Sequence, residues 1–115
     1  MSKRNPLNSA PPFAIEQSLK KLGERLRIAR LRRNLTLDAA SAKIGTGIRA
    51  VRDAEGGRAG ASIGTYWALL WAYDLLGAAE NLASPSSDVE GIALETKRAR
   101  AGSGGRSTKA LDNDF

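Results

Sequence analysis

The sequence predicts an all-α fold, and three observations carry the prediction. Ile15, Leu19, Leu22, Leu26 and Ala29 recur at spacings of three and four, which sets them on one face of a helix. Helix-starting and helix-stopping residues punctuate the chain at short intervals: Thr36 and Ser62 as N-caps, and Asn34, Gly45 and the pair Gly56-Gly57 as stops. No run alternates in the manner of a strand.

Residues 1–13 hold Pro6, Pro11 and Pro12 among polar residues and read as a mobile arm. The first main helix starts near Ala14. Its second face carries Lys20, Lys21, Arg25, Arg27, Arg30, Arg32 and Arg33, and Asn34, which tolerates the left-handed conformation, stops it. Thr36 caps a short helix from Leu37 to Lys43, with Asp38 favoured in its first turn by the helix dipole. Gly45 turns the chain into a helix from about Gly47 to Glu55, whose buried side has Ile48, Val51 and Ala54. After a loop over 58–61, Ser62 caps a helix from Ile63 to about Leu75. A short helix follows over Ala78–Leu82, and Pro85 closes a domain spanning 14–84. In the tail, 85–115, Val89, Ile92, Ala93 and Thr96 make a weak helical pattern. Arg98–Lys109 has linker composition, and the end, LDNDF, is acidic with apolar flanks.

A chain of 115 residues is long enough for one small core. Its net charge of +6 favours polyanionic partners, nucleic acid above all, although membrane surfaces attract basic chains too. With no cysteine and no histidine, disulfides, thiol nucleophiles, the usual zinc sites and imidazole acid–base chemistry are excluded. No carboxylates cluster, so the expectation is a non-enzyme without metal, cofactor or small-molecule substrate. No apolar stretch approaches the roughly 20 residues of a membrane span, and MSKRNPLNSAPPF has no apolar core of a secretory signal. The expected address is the cytoplasm.

Function concentrates in LTLDAASAKIGTGIRAVRDAEGG, residues 35–57. Two short helices joined through a glycine make a compact corner. Ala39, Ala40, Ala42 and Ala50 let them approach closely, while Val51 and Ala54 face the core. Gly47, Ile48, Arg49, Arg52 and Asp53 are then free to enter a DNA major groove, which admits one helix.

These residues, with LGERLRIARLRRN before them and SIGTYWALLWAYDLLGAAENLA after, resemble the XRE family of compact five-helix, lambda-repressor-like DNA-binding domains with a helix-turn-helix. The likeness covers about residues 22–83. It rests on the arginine-rich first helix, Leu35-Thr36, Gly45, Val51 and Glu55-Gly56-Gly57. SPSSDVEGIALETKRAR and the ending LDNDF resemble the tails of HipB-type antitoxins. That resemblance implies a dimeric repressor of its own operon and a HipA-like serine/threonine kinase toxin as partner. The chain departs from the XRE pattern at Leu37, where glutamine is frequent, and at Gly47, where many relatives carry a side chain.

Arg49 is the foremost candidate for base contact, because its fork can bond a guanine edge; alternatively it is an exposed arginine paired with Asp53 one turn on. Ile48 either meets a thymine methyl or covers the turn. Asp53 either accepts from a cytosine amino group or orients Arg49, the favoured reading. Candidates for phosphate contact are Arg25, Arg32, Arg33, Lys43, Arg52 and Arg58, joined at the helix starts by Thr36, Leu37 and Gly47; the alternative is a solvated basic face. The family pattern turns Ile63, Tyr66, Leu69, Leu70 and Tyr73 inward. It leaves Trp71 and part of Trp67 near the surface, as an interface with Leu75, Leu76 and Leu82 for a second copy or the toxin. The other arrangement has the fifth helix or the tail folding over the tryptophans. Leu111 and Phe115 mark a docking peptide in the tail. AGSGGRSTK lacks the spacing of a phosphate-binding loop and reads as a linker.

The leading expectation is a homodimeric repressor reading a palindromic double-stranded DNA operator and neutralising a toxin. The alternatives are a stand-alone regulator, or a protein-interaction or RNA-associated module that keeps the fold.

Overall fold

The structure, a computed structural model, describes residues 6–102, and every regular element among them is helical. In order these are α1 (Pro6–Ser9), α2 (Phe13–Arg32), α3 (Leu37–Ile44), α4 (Ile48–Glu55), α5 (Ile63–Ala72), α6 (Leu76–Ala79), a single 3₁₀ turn (Pro85–Ser87) and α7 (Val89–Ala101). The chain divides into two compact units after Glu80. No helix among the described residues is long and apolar enough to cross a membrane.

The first unit is organised around one core. Leu26 and Ala29 of α2, Ala40 of α3, Val51 and Ala54 of α4, and Tyr66, Leu69 and Tyr73 at α5 are buried together. Leu19, Leu22, Leu35, Leu37, Trp67 and Leu70 pack around them half-buried. α2 and α4 meet backbone to backbone at Gly23, where an added Cβ would lie 2.5 Å from the Glu55 carbonyl oxygen and 2.7 Å from that of Ala54.

Four consecutive helices end by one device. A residue in the left-handed region follows each: Asn34 (φ 55°), Gly45 (74°), Gly57 (67°) and Asp74 (61°). The next N–H then reaches back five residues, from Leu35 to Arg30, Thr46 to Ser41, Arg58 to Asp53 and Leu75 to Leu70. This closure satisfies carbonyls that the helix end leaves open.

Several expectations shift. Pro6–Ser9, inside the segment read as an arm, is one helical turn. Ala39 and Ala42 are exposed, so Ala40 alone of the α3 alanines is buried in the corner. Ile15 is exposed at the N-terminal end of α2. α5 stops at Ala72 rather than near Leu75, because Asp74 turns left-handed, and the next helix accordingly forms over Leu76–Ala79 rather than Ala78–Leu82.

In the second unit, Asp88 caps α7 by accepting from the Gly91 N–H at 2.9 Å. Glu90 in the first turn and Arg98 and Arg100 in the last suit the helix dipole. The helix runs through Arg98–Ala101, four residues of the stretch read as linker. Residues 103–109 of that stretch, and LDNDF, lie outside the described residues.

Candidate nucleic-acid interface

The α3–α4 corner is fixed at each of its joints. Thr36 Oγ1 accepts from the Ala39 N–H at 3.0 Å, the expected N-cap. Ser41, buried, donates to the Asp38 carbonyl at 2.9 Å. Gly45 has open space around its Cβ position, so its positive φ, and not crowding, selects glycine. Gly47 caps α4 in an extended conformation, and its carbonyl accepts from the Ala50 N–H at 3.2 Å.

Arg30 holds this corner to α2. The sequence places it with the outward basic residues, yet it is only 8% exposed. Its Nε donates to Glu55 Oε2 at 2.7 Å and Nη2 to Glu55 Oε1 at 3.1 Å, while Nη1 donates to the Leu35 carbonyl at 2.9 Å. One guanidinium thereby ties α2, the link before α3 and the end of α4. The bond to Glu55 outweighs desolvation and holds the Arg30 pKa above its ordinary value. A planar fork facing a carboxylate suits such a buried pair. The missed signal was spacing: Arg30 follows Leu26 by four residues and continues the inward row.

The outer surface of α4 is the candidate interface. Val51 and Ala54 are fully buried, whereas Arg49 and Arg52 point to solvent and make no ion pair among the described residues. Asp53 is half-buried and its Oδ1 lies 3.6 Å from Arg58 Nε; it therefore partners Arg58, not Arg49 as expected from sequence. Ile48 is half-buried, so part of its side chain is covered and part stays open at the start of α4. Gly47 is exposed with open space beyond it, and Lys43 is exposed near the end of α3. Leu37 packs half-buried against the core, which leaves its backbone rather than its side chain at the α3 start.

Three arginines on α2 and at its C-cap form a separate group. Arg25, Arg32 and Arg33 line a shallow groove with Ile28, Ala29 and Leu75. At 100° per residue, Arg25 and Arg32 lie roughly 150° around α2 from Arg30, which faces α4. Arg33 is engaged within the fold: its Nη1 donates to the Ala29 carbonyl at 2.9 Å and its Nη2 to the Tyr73 carbonyl at 2.8 Å, with the guanidinium 5.4 Å above the Tyr73 ring.

On α5, Trp71 is 63% exposed and Trp67 half-buried. Ile63, expected inward, is 70% exposed and extends the same row at four-residue spacing; it is the first residue of α5, next to the Ser62 cap. Leu75 is exposed and Leu76 half-buried. Leu82 belongs to the second unit, and Leu111 and Phe115 lie outside the described residues. Among the described residues, no three carboxylates gather where they could hold a metal ion.

Comparison with known proteins returns no relative: no protein-family model, no curated protein and no solved structure matches the chain.

Proposed function

We propose that this protein binds double-stranded DNA in a sequence-dependent manner through a helix-turn-helix formed by α3 and α4, within a lambda-repressor-like domain, and represses transcription. The observation that carries the reading is the division of α4. One face is locked in the core by Val51 and Ala54, and the opposite face holds out Arg49 and Arg52, which have no ion-pair partner among the described residues. A rigidly seated helix with unengaged arginines on its free side fits a major groove, where one arginine can bond a guanine edge and the other a phosphate. The net charge of +6 supports the same partner.

One eight-residue helix reads few base pairs, so the reading includes a homodimer on a palindromic operator, with the apolar row Ile63, Trp67 and Trp71 as the surface between copies. The resemblance of the tail extends it to an antitoxin that engages a HipA-like kinase toxin. Deleting residues 84–115 separates that role from a stand-alone regulator, which would lose no partner.

The test is binding of the purified chain to a duplex from its own upstream region, to random duplex and to single strands across a salt series. Tighter binding to the upstream duplex, weakening steeply with salt, is the expected result. Equal, weak binding to all three would remove the reading.

A further inference from the structure

The loop that follows α4 is more tightly fixed than its glycines suggest. Gly57 adopts φ +67°, and an added Cβ there would lie 2.6 Å from the Leu19 carbonyl oxygen, so the loop is seated on the α2 backbone. Arg58 comes next. Its N–H donates to the Asp53 carbonyl at 3.1 Å, and its own carbonyl accepts twice, from the Ala61 N–H at 3.1 Å and from Tyr66 Oη at 3.0 Å. Tyr66 is buried in the core, and its phenol is the one side-chain group that reaches the Arg58 backbone among the described residues. The Arg58 side chain, by contrast, is 73% exposed and lies beside Asp53, so it prolongs the outer surface of α4 past the end of the helix.

We infer that Tyr66 is a positioning residue: its hydroxyl fixes the Arg58 backbone so that the Arg58 guanidinium meets a DNA phosphate at the C-terminal end of α4. The inference rests on the DNA-binding reading above and names a residue from the core as part of the interface. A flexible cation must surrender conformational freedom on contact with a phosphate. A backbone already held on both sides of Arg58 leaves only the side chain to order, and preorganisation of this kind improves affinity without a new contact. Asp53 adds to it by keeping the guanidinium along the α4 surface before DNA arrives. Since a phosphate contact carries no base information, both residues contribute to affinity on every duplex and not to sequence choice.

The test is a double-mutant cycle with Tyr66→Phe and Arg58→Ala, measured on the upstream duplex and on random duplex across a salt series. Phenylalanine keeps the buried ring and removes only the hydroxyl, and a helical circular-dichroism spectrum with a cooperative melt checks that the fold persists. Arg58→Ala is expected to weaken both duplexes alike, by about ten-fold, and to lower the salt slope by about one. Tyr66→Phe is expected to weaken both by about three-fold with a smaller fall in slope, and to add nothing when Arg58 is already alanine. Losses that simply multiply in the double variant, or a Tyr66→Phe protein that binds as wild type while Arg58→Ala does not, would overturn the inference. Failure of the underlying reading is distinct: wild type would then bind both duplexes and single strands equally and weakly, and the inference falls with it.

Discussion

Arg30 and Glu55, 25 residues apart, meet in a two-pronged ion pair at 2.7 and 3.1 Å that is nearly closed off from solvent. It sets the end of α4 against α2 and so fixes the angle at which the outer face of α4 is offered. Removing one partner strands the other charge in a buried site. Arg30→Ala and Glu55→Ala are each expected to cost about 3–5 kcal/mol, whereas Arg30→Met with Glu55→Leu together costs much less than either alone. Urea unfolding of the three variants is the check, and equal losses in the double and single variants would contradict it.

Two glycines on helices should respond oppositely to alanine. At Gly23 the new Cβ meets backbone atoms of Ala54, Glu55 and Gly57 at 2.5–2.8 Å, and backbone cannot give way cheaply. At Gly77, within α6, nothing lies within 4 Å. Gly23→Ala is expected to destabilise by about 1–3 kcal/mol through forced separation of α2 from α4. Gly77→Ala is expected to stabilise by about 0.4–1 kcal/mol through the unfolded state. Thermal melts of the two variants distinguish these directions.

Burial pushes the phenols of Tyr66 and Tyr73 above tyrosine's ordinary value of 10.0, aided by the negative charge of Asp53 for Tyr66 and of Glu55 for Tyr73, and opposed at Tyr73 by Arg30 and Arg33. The folded state therefore keeps protons that the unfolded chain releases. Their contribution is complete below the unfolded value and is lost as pH rises through the folded values. Stability should fall above pH 10, and the double Tyr→Phe variant should flatten that fall. The two single variants should differ at neutral pH. Tyr66→Phe gives up a hydrogen bond worth about 1 kcal/mol. Tyr73→Phe gives up none, since Tyr73 Oη has no partner among the described residues.

Much of this was legible in the sequence where the cause is local. Thr36, Asn34 and Gly45 each act through their own backbone or the next turn, and each does what its residue type suggests. Val51 and Ala54 were readable because three-residue spacing fixes a helix face. The failures are relations between distant segments. A run of arginines does not reveal that Arg30 turns inward to a carboxylate 25 residues on, or that Arg33 reaches the Tyr73 carbonyl 40 residues on. Asp53 sits one turn from Arg49, yet Arg58 lies nearer because the Gly57 turn folds it back. The family pattern turns Ile63 inward, but it is the first residue of α5, ahead of the turn at which Tyr66 enters the core, and it stays exposed.

The exposed row on α5 makes a further prediction. Trp71→Ala removes the largest exposed side chain of that row and should shift a dimer toward monomer in sedimentation at fixed concentration, with little loss of thermal stability because Trp71 lies outside the core. It should also weaken binding to a full palindrome more than to a half-site. A Trp71→Ala protein that sediments and binds as wild type would place the contact elsewhere.

The most direct test concerns Arg49. Its exposed guanidinium, without an ion pair among the described residues, stands on the one face of α4 that the core leaves open. Arg49→Ala should be compared with wild type on the upstream duplex and on random duplex at matched salt. Arg49→Ala is expected to cost about 1–3 kcal/mol on the upstream duplex and little on random DNA. An equal effect on both, or none on either, would contradict base reading by α4.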